Sequence, residues 1–328
     1  MGRILSIIFT TIITSFYFFP FCFTFLPSVN TKMAMAAFGL VLLGVQLGKA
    51  RNSVLNKNIF ILSVFAAIVS LIGLISVTYN ETPDYTYASY IVSMWVWLGG
   101  AYVAVSLMRK VHGYASVKLV CNYLIIVCVA QCTLALLIDS YPVVKNFVDG
   151  FLASGGHMGK NESRLYAPGC ALDVAGSRFA VILIMIAYIT TLKDDEVARK
   201  YIWLYIAAFL YITVVGNMMA RTTTMGVVLA LLYWIGKSGL FNLSINSEYK
   251  YIWNRLGLLL LIAIPFMVYL YDTNPAFKED IRFAFEGFFS LAEKGEWDVH
   301  SNNRLMDMYV FPDNIKTWII GDGYFGGP

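Results

Sequence analysis

Long apolar runs alternate with short polar stretches along most of the chain. Read by run length and polar punctuation, they predict nine helical spans at approximately 4–26, 33–48, 59–78, 87–107, 119–138, 177–192, 201–219, 223–236 and 256–271. A membrane helix needs ~20 apolar residues to cross ~30 Å of hydrocarbon; the 223–236 run is the shortest of the set. The first run, Ile4 to Leu26, is too long for the ~7–15-residue core of a signal peptide, and no small-x-small cleavage site follows it. It reads as the first membrane helix. Two polar segments, 139–176 and 272–328, are much longer than the other connections. The predicted fold is an all-α, polytopic membrane bundle, a single membrane domain over 1–328 with two long outer loops.

Composition strengthens that reading. Hydrophobic residues make up 59% and charged residues 13%, against ~25% charged in a soluble domain. Lys and Arg set the orientation. With the amino terminus cytoplasmic, the inner connections hold Arg3, Lys49, Arg51, Lys57, Arg109, Lys110, Lys118, Lys193, Arg199, Lys200, Lys237, Lys250 and Arg255, whereas the short outer loops hold only Lys32 and Arg221. Both long segments then lie outside. In the second, Phe277, Ile281, Phe285, Phe288 and Phe289 recur at near-helical spacing among charged residues. That predicts an amphipathic helix lying on the membrane or packed on the protein's outer face. Of five cysteines, Cys121, Cys128 and Cys132 share one helix face, Cys22 lies in a membrane run and Cys170 in a loop. This is neither a disulfide framework nor a metal pattern.

Three outer arginines stand out. Arg178 and Arg221 each begin a run that enters the membrane from outside, and so sit at predicted helix amino termini; Arg164 is in the loop before Arg178. A helix amino terminus already carries partial positive charge and unsatisfied N–H groups. A cation there is misplaced by ~0.3–1 kcal/mol unless an anion binds. Arginine beside a helix amino terminus suits phosphate. Ala171, Ala175, Gly176 and Ser177 before Arg178 are small enough to let a head group approach, and Thr222, Thr223 and Thr224 add hydroxyls after Arg221. The alternative is that border arginines snorkel to lipid head groups.

Four stretches carry a resemblance: "RLYAPGCALDVAGSRFAV", "ARTTTMGVVLALLYW", "SNNRLMDMYVF" and "WIIGDGYFGG". In order and placement the set resembles the O-antigen polymerase and O-antigen ligase superfamily of bacterial membrane glycosyltransferases. The likeness covers roughly Arg164 to Gly327. It implies an all-helical, polyprenol-dependent enzyme in the bacterial inner membrane that takes glycan from undecaprenyl diphosphate on the periplasmic face. A polymerase passes it to a second lipid-linked repeat unit, a ligase to a lipid A core. Carried over by position, Arg164, Arg178 and Arg221 would contact the diphosphate and Arg304 the donor or acceptor, with Arg178, Arg221 and Arg304 catalytic. Thr222, Asp173 and Tyr166 would join Arg164 in substrate binding. Asp173 would orient an arginine or cap the helix, and Tyr166, Trp297 and Tyr324 would offer sugar contact. The resemblance implies no metal and no cofactor, because cations from the protein stabilise the leaving phosphate. It implies a lipid-linked oligosaccharide, membrane lipids, a chain-length regulator and a flippase as partners, and no nucleic acid.

Two departures accompany it. The Arg164-to-Gly176 spacing only approximates the family's. Family members also usually continue past this point to a histidine and further membrane helices, so the chain reads as C-terminally incomplete; Asp298 and His300 are the substitutes for a general base. The acidic run Asp194, Asp195 and Glu196 falls on the cytoplasmic side and reads as a solvated turn, and His157 as a solvated loop residue. The first outer loop holds no carboxylate; Glu81 and Asp84 lie in the second. No phosphate-binding P-loop is present. A flippase or other transporter would need charges within the spans, and these spans carry theirs at the ends.

Overall fold

The computed structural model describes residues 2–49, 57–153, 164–170, 172–192, 196–239, 246, 249–308 and 311–324. Of the described residues 79% are helical. Its elements run α1 (Gly2–Phe18), β1 (Cys22–Phe23), β2 (Leu26–Asn30), α2 (Thr31–Lys49), α3 (Lys57–Asn80), α4 (Tyr90–His112), α5 (Val117–Ser140), α6 (Pro142–Phe151), α7 (Leu172–Thr190), α8 (Glu196–Lys200), α9 (Ile202–Met219), α10 (Thr223–Ser238), α11 (Lys250–Thr273), α12 (Pro275–Ala284), α13 (Glu286–Lys294), α14 (His300–Asp307) and α15 (Ile315–Ile319). The two short strands pair antiparallel, Cys22 opposite Asn30 and Phe23 opposite Leu26.

Each predicted run falls on a helix, but among the described residues five helices are long and apolar enough to cross a membrane: α3, α4, α5, α9 and α11. This architecture fits a helical membrane protein. Shorter apolar stretches cover Gly2–Phe18, Thr31–Gln46 and Val174–Thr190. The causes of shortening are local. The run 4–26 stops at Phe18 because Pro20 lacks the N–H that a continuing helix needs, and the chain turns into the hairpin. α10 ends after 16 residues at Gly239, whose left-handed φ of +80° closes the helix. The amphipathic stretch after α11 becomes two helices. Asn274 caps α12 by accepting from the Phe277 N–H at 3.1 Å, and Gly295 ends α13 at φ +77°.

The chain divides into two compact units, Met1–Asn30 with Leu107–Val299, and Thr31–Ser106 with His300–Pro328. In the first, α7 packs on α5, α9 and α10. Phe179, Ile182, Leu183 and Ile186 of α7 are fully buried, with Ile206, Ile212 and Met218 of α9 and Trp234 of α10. Backbone contact sets the spacing. A Cβ on Gly226 would lie 2.2 Å from Ala180 Cα, and one on Gly176 would lie 2.9 Å from the Cβ atoms of Ala220 and Thr222. At the other end of α7, Trp234 Nε1 donates to Thr190 Oγ1 at 2.9 Å and the Tyr251 hydroxyl to the Thr190 carbonyl at 2.8 Å. α12 packs against α9 and α11, with Ile281 and Ala284 buried.

In the second unit, α2 and α4 meet at Gly39 and Gly99, where a Cβ on Gly39 would fall 1.9 Å from the Gly99 carbonyl oxygen. The Gly321-Asp322-Gly323 turn docks on the end of α3. Asn80 Nδ2 donates to the Gly321 carbonyl at 3.0 Å and Thr82 Oγ1 to the Gly323 carbonyl at 2.7 Å. Both glycines have φ +80°.

Candidate functional site

The stretch that carries Arg164 is a built turn. Ala167 and Cys170 exchange backbone hydrogen bonds at 3.0 and 2.8 Å around Pro168 and Gly169. Proline at the first central position and a left-handed residue at the second, Gly169 with φ +66°, is the type II pattern. Glycine is required twice over here, because a Cβ would also lie 2.3 Å from the Phe19 carbonyl oxygen. The turn thus sits on the chain just after α1. Gln131 of α5 clips the two together, its Nε2 donating to Ser15 Oγ at 3.0 Å and to the Pro168 carbonyl at 3.4 Å. Leu165, Ala167 and Cys170 are buried in the main core. Burial keeps the Cys170 thiol well above its usual pKa and therefore unreactive.

From this base Arg164 reaches the ring of Phe283 on α12, its guanidinium carbon 4.6 Å from the ring centroid. Arg221 reaches the same ring at 4.2 Å. The two guanidinium carbons are therefore at most 8.8 Å apart, the two distances laid end to end. Like charges at that limit repel by ~0.5 kcal/mol in water-like surroundings and ~2 kcal/mol in partly buried ones. Two features offset this: the π face of Phe283, and Glu286, which accepts a hydrogen bond from Arg221 in an ion pair. Glu286 is also the first residue of α13, where its charge complements the helix dipole. The anion that a cation ahead of α10 calls for is thus supplied within the protein.

The remaining expected residues fall as follows. Arg178 is not at the start of its helix: α7 begins at Leu172, so the Arg178 N–H is already within the helical ladder. Leu172 opens α7 with a left-handed φ of +55°, and the helix runs from there through Gly176 and Ser177 to Arg178. The guanidinium carbon of Arg178 lies 5.4 and 5.8 Å from the ring centroids of Phe19 and Phe18. Arg221 immediately precedes Thr222, the residue before α10. The first N–H groups there are taken by turns, Thr223 to the Ala220 carbonyl at 3.1 Å and Thr224 to the Arg221 carbonyl at 2.9 Å. The Thr223 hydroxyl donates to the Gly216 carbonyl and that of Thr224 to Asn217 Oδ1. Tyr166 donates to Asp149 Oδ1 at 2.7 Å, and burial with that carboxylate raises its phenol pKa. The small residues around Gly176 serve the α7–α10 contact.

Asp173 lies on α7 and Arg304 on α14, in the second unit, and both side chains lie outside the described residues, as do His157, Asp194 and Asp195. His300 is exposed at the start of α14. Trp297 packs its ring over Gly287 and meets Phe288 edge-on at 5.2 Å. Tyr324 borders a cavity of about 340 Å³ in the second unit with Asp84 and Tyr87.

Compared with known proteins, the chain matches no family model, no curated protein and no solved structure.

Sequence reasoning missed the partners, Phe283 and Glu286. The available signal was phase: in "RFAFEGFF" Phe283 stands out of register with Ile281 and Phe285, and so faces away from the helix's main buried stripe. It also missed Asp280, the carboxyl at which α12 meets other acids. Burial pushes its pKa up to about 7, with Asp139 and Glu279 adding to the shift. Among the described residues no group of three or more His, Cys, Asp or Glu could hold a metal.

Proposed function

We propose that this protein polymerises repeat units of a surface polysaccharide, O-antigen or capsule. It would move glycan from undecaprenyl diphosphate to a second lipid-linked unit at the periplasmic face of a bacterial inner membrane. On this reading the apolar helices are embedded in the bilayer with the amino terminus cytoplasmic, and the arginine loop lies outside. The observation that carries the reading is the convergence of Arg164 and Arg221 on Phe283 beside Glu286.

The chemistry follows from charge. The acceptor hydroxyl attacks the anomeric carbon, its proton passes to a base, and the bond to the diphosphate oxygen breaks with the electron pair leaving on phosphate. Fixed guanidinium groups stabilise that developing charge, and an arginine fork matches phosphate oxygens in pairs. Glu286 holds Arg221 in place, and a diphosphate dianion competes for the same guanidinium. Asp298, which borders the same cavity as Phe283 and Glu286, is the carboxylate this reading offers as base.

The test is chain length in cells carrying Arg221→Ala. Loss of long chains, with a single capped repeat unit remaining and the protein inserted normally, is the expected result. Finished chains left on undecaprenyl diphosphate would point instead to ligation, and lipid-linked units held on the cytoplasmic leaflet to transport. Normal chain lengths would overturn the reading.

A further inference from the structure

A groove of about 580 Å³ runs along α12 and α13 on the first unit. It lies within the size range of small-molecule sites. Phe283 and Glu286, the residues that hold Arg164 and Arg221, form part of its wall. Along the rest, charges are matched. Arg282 donates through both terminal nitrogens to Glu293, at 2.7 and 2.8 Å. Lys294 stands 3.6 Å from Asp298. The half-buried ring of Phe289 is part of the same lining; it stacks parallel with Tyr271, centroids 5.9 Å apart, and the guanidinium carbon of Arg282 lies 4.9 Å from its centroid.

Cations and carboxylates so paired leave a lining with many donors and acceptors and little net charge. Such a lining suits neither a metal ion nor a bare phosphate. It suits a polyhydroxyl ligand, whose hydroxyls bridge carboxylate acceptors and guanidinium or ammonium donors and whose C–H faces pack on an aromatic ring. We infer that the α12–α13 groove is the glycan subsite: it holds the first sugars of a neutral or weakly charged oligosaccharide whose diphosphate end lies at Arg164 and Arg221. This rests on the diphosphate reading above and adds to it where the sugars lie.

The test uses the full chain in lipid nanodiscs and two probes by titration calorimetry. One is undecaprenyl diphosphate without sugar; the other is the repeat-unit oligosaccharide hydrolysed from the cell's own surface polymer. Glu293→Gln removes one paired charge, and Phe289→Leu removes the aromatic face while keeping apolar bulk. Each is expected to weaken oligosaccharide binding by roughly tenfold and to leave undecaprenyl diphosphate binding unchanged, which also reports that the variant is folded. Arg221→Ala should do the reverse. Oligosaccharide that fails to bind the natural chain, or binds both groove variants as tightly, overturns the inference while lipid binding still supports the diphosphate site. Oligosaccharide binding that needs the groove, with no binding of undecaprenyl diphosphate, sinks the diphosphate reading and keeps the groove.

Discussion

Arg221 stands two residues before α10, paired with Glu286 and sharing the Phe283 ring with Arg164, whereas Arg178 stands inside α7 over Phe18 and Phe19. One cation is set among other charges at the edge of a groove. The other is set among rings, flanked on its own helix by buried Ala175, Phe179 and Ile182. A guanidinium held by a carboxylate and repelled by a second cation nearby is tuned to exchange its anion. One held by aromatic rings is tuned to stay where it is. The first arrangement favours chemistry and the second favours the position of α7.

The strongest way to break the comparison is to break the frame that both arginines share. Gly226→Val places a side chain where Ala180 Cα already lies, and α10 cannot move off α7 without shifting the Arg221 segment. A loss of about 3 kcal/mol or more is expected from such overpacking, seen as aggregation in size-exclusion chromatography and a lower unfolding temperature. Next in size, Arg221→Ala should lower the transfer rate by ~10²–10³ with the fold kept. Arg221→Lys should recover little, since a point charge does not reproduce the fork. Arg178→Ala should divide the other way, costing about 1–2 kcal/mol of stability for the lost ring contacts and little rate. A rate loss as large as that of Arg221→Ala would make the two settings one site.

A smaller effect tests α12, on which Phe283 rides. Asp280 has a folded-state pKa of about 7 against an ordinary 3.8. The folded chain therefore keeps a proton that the unfolded chain has lost, and stability falls as pH rises from about 4 to about 7. Asp280→Asn should flatten that slope and raise the unfolding temperature at pH 8, measured by thermal melts at a series of pH values. The smallest effect is expected at Glu293→Gln, where the partner is an exposed surface arginine. Its unfolding temperature should barely move.

Much of the fold was legible because lipid-length apolar runs leave a plain trace: every predicted run holds a helix. What the runs could not show is which of them face the core. α3 is the most apolar of the five membrane-length helices, yet only 11% of its most apolar stretch is buried, against 56% in α5. Apolar side chains satisfy lipid and core equally, so composition does not separate the two. The site was legible to the same depth. Arg164 and Arg221 could be picked out as cations beside membrane helices, but their common ring lies far along the chain, and no local pattern links them. Gly176 and Gly226 were visible as small residues, and their use, helix against helix, needed the third dimension. Arg178 reads as a helix start because the small residues before it, Ala175, Gly176 and Ser177, interrupt the apolar run, yet α7 has already begun at Leu172.

The turn at Gly169 gives the amino-terminal helix a duty beyond anchoring. Its backbone rests on the Phe19 and Pro20 carbonyls, and Gln131 ties it to Ser15. During synthesis α1 emerges first, and the Arg164 segment, made much later, is seated against it. A protein shortened past Pro20 would retain Arg164, Arg178 and Arg221. It would lose the surface on which the first of them is mounted, and inherit the defect as a failure of assembly.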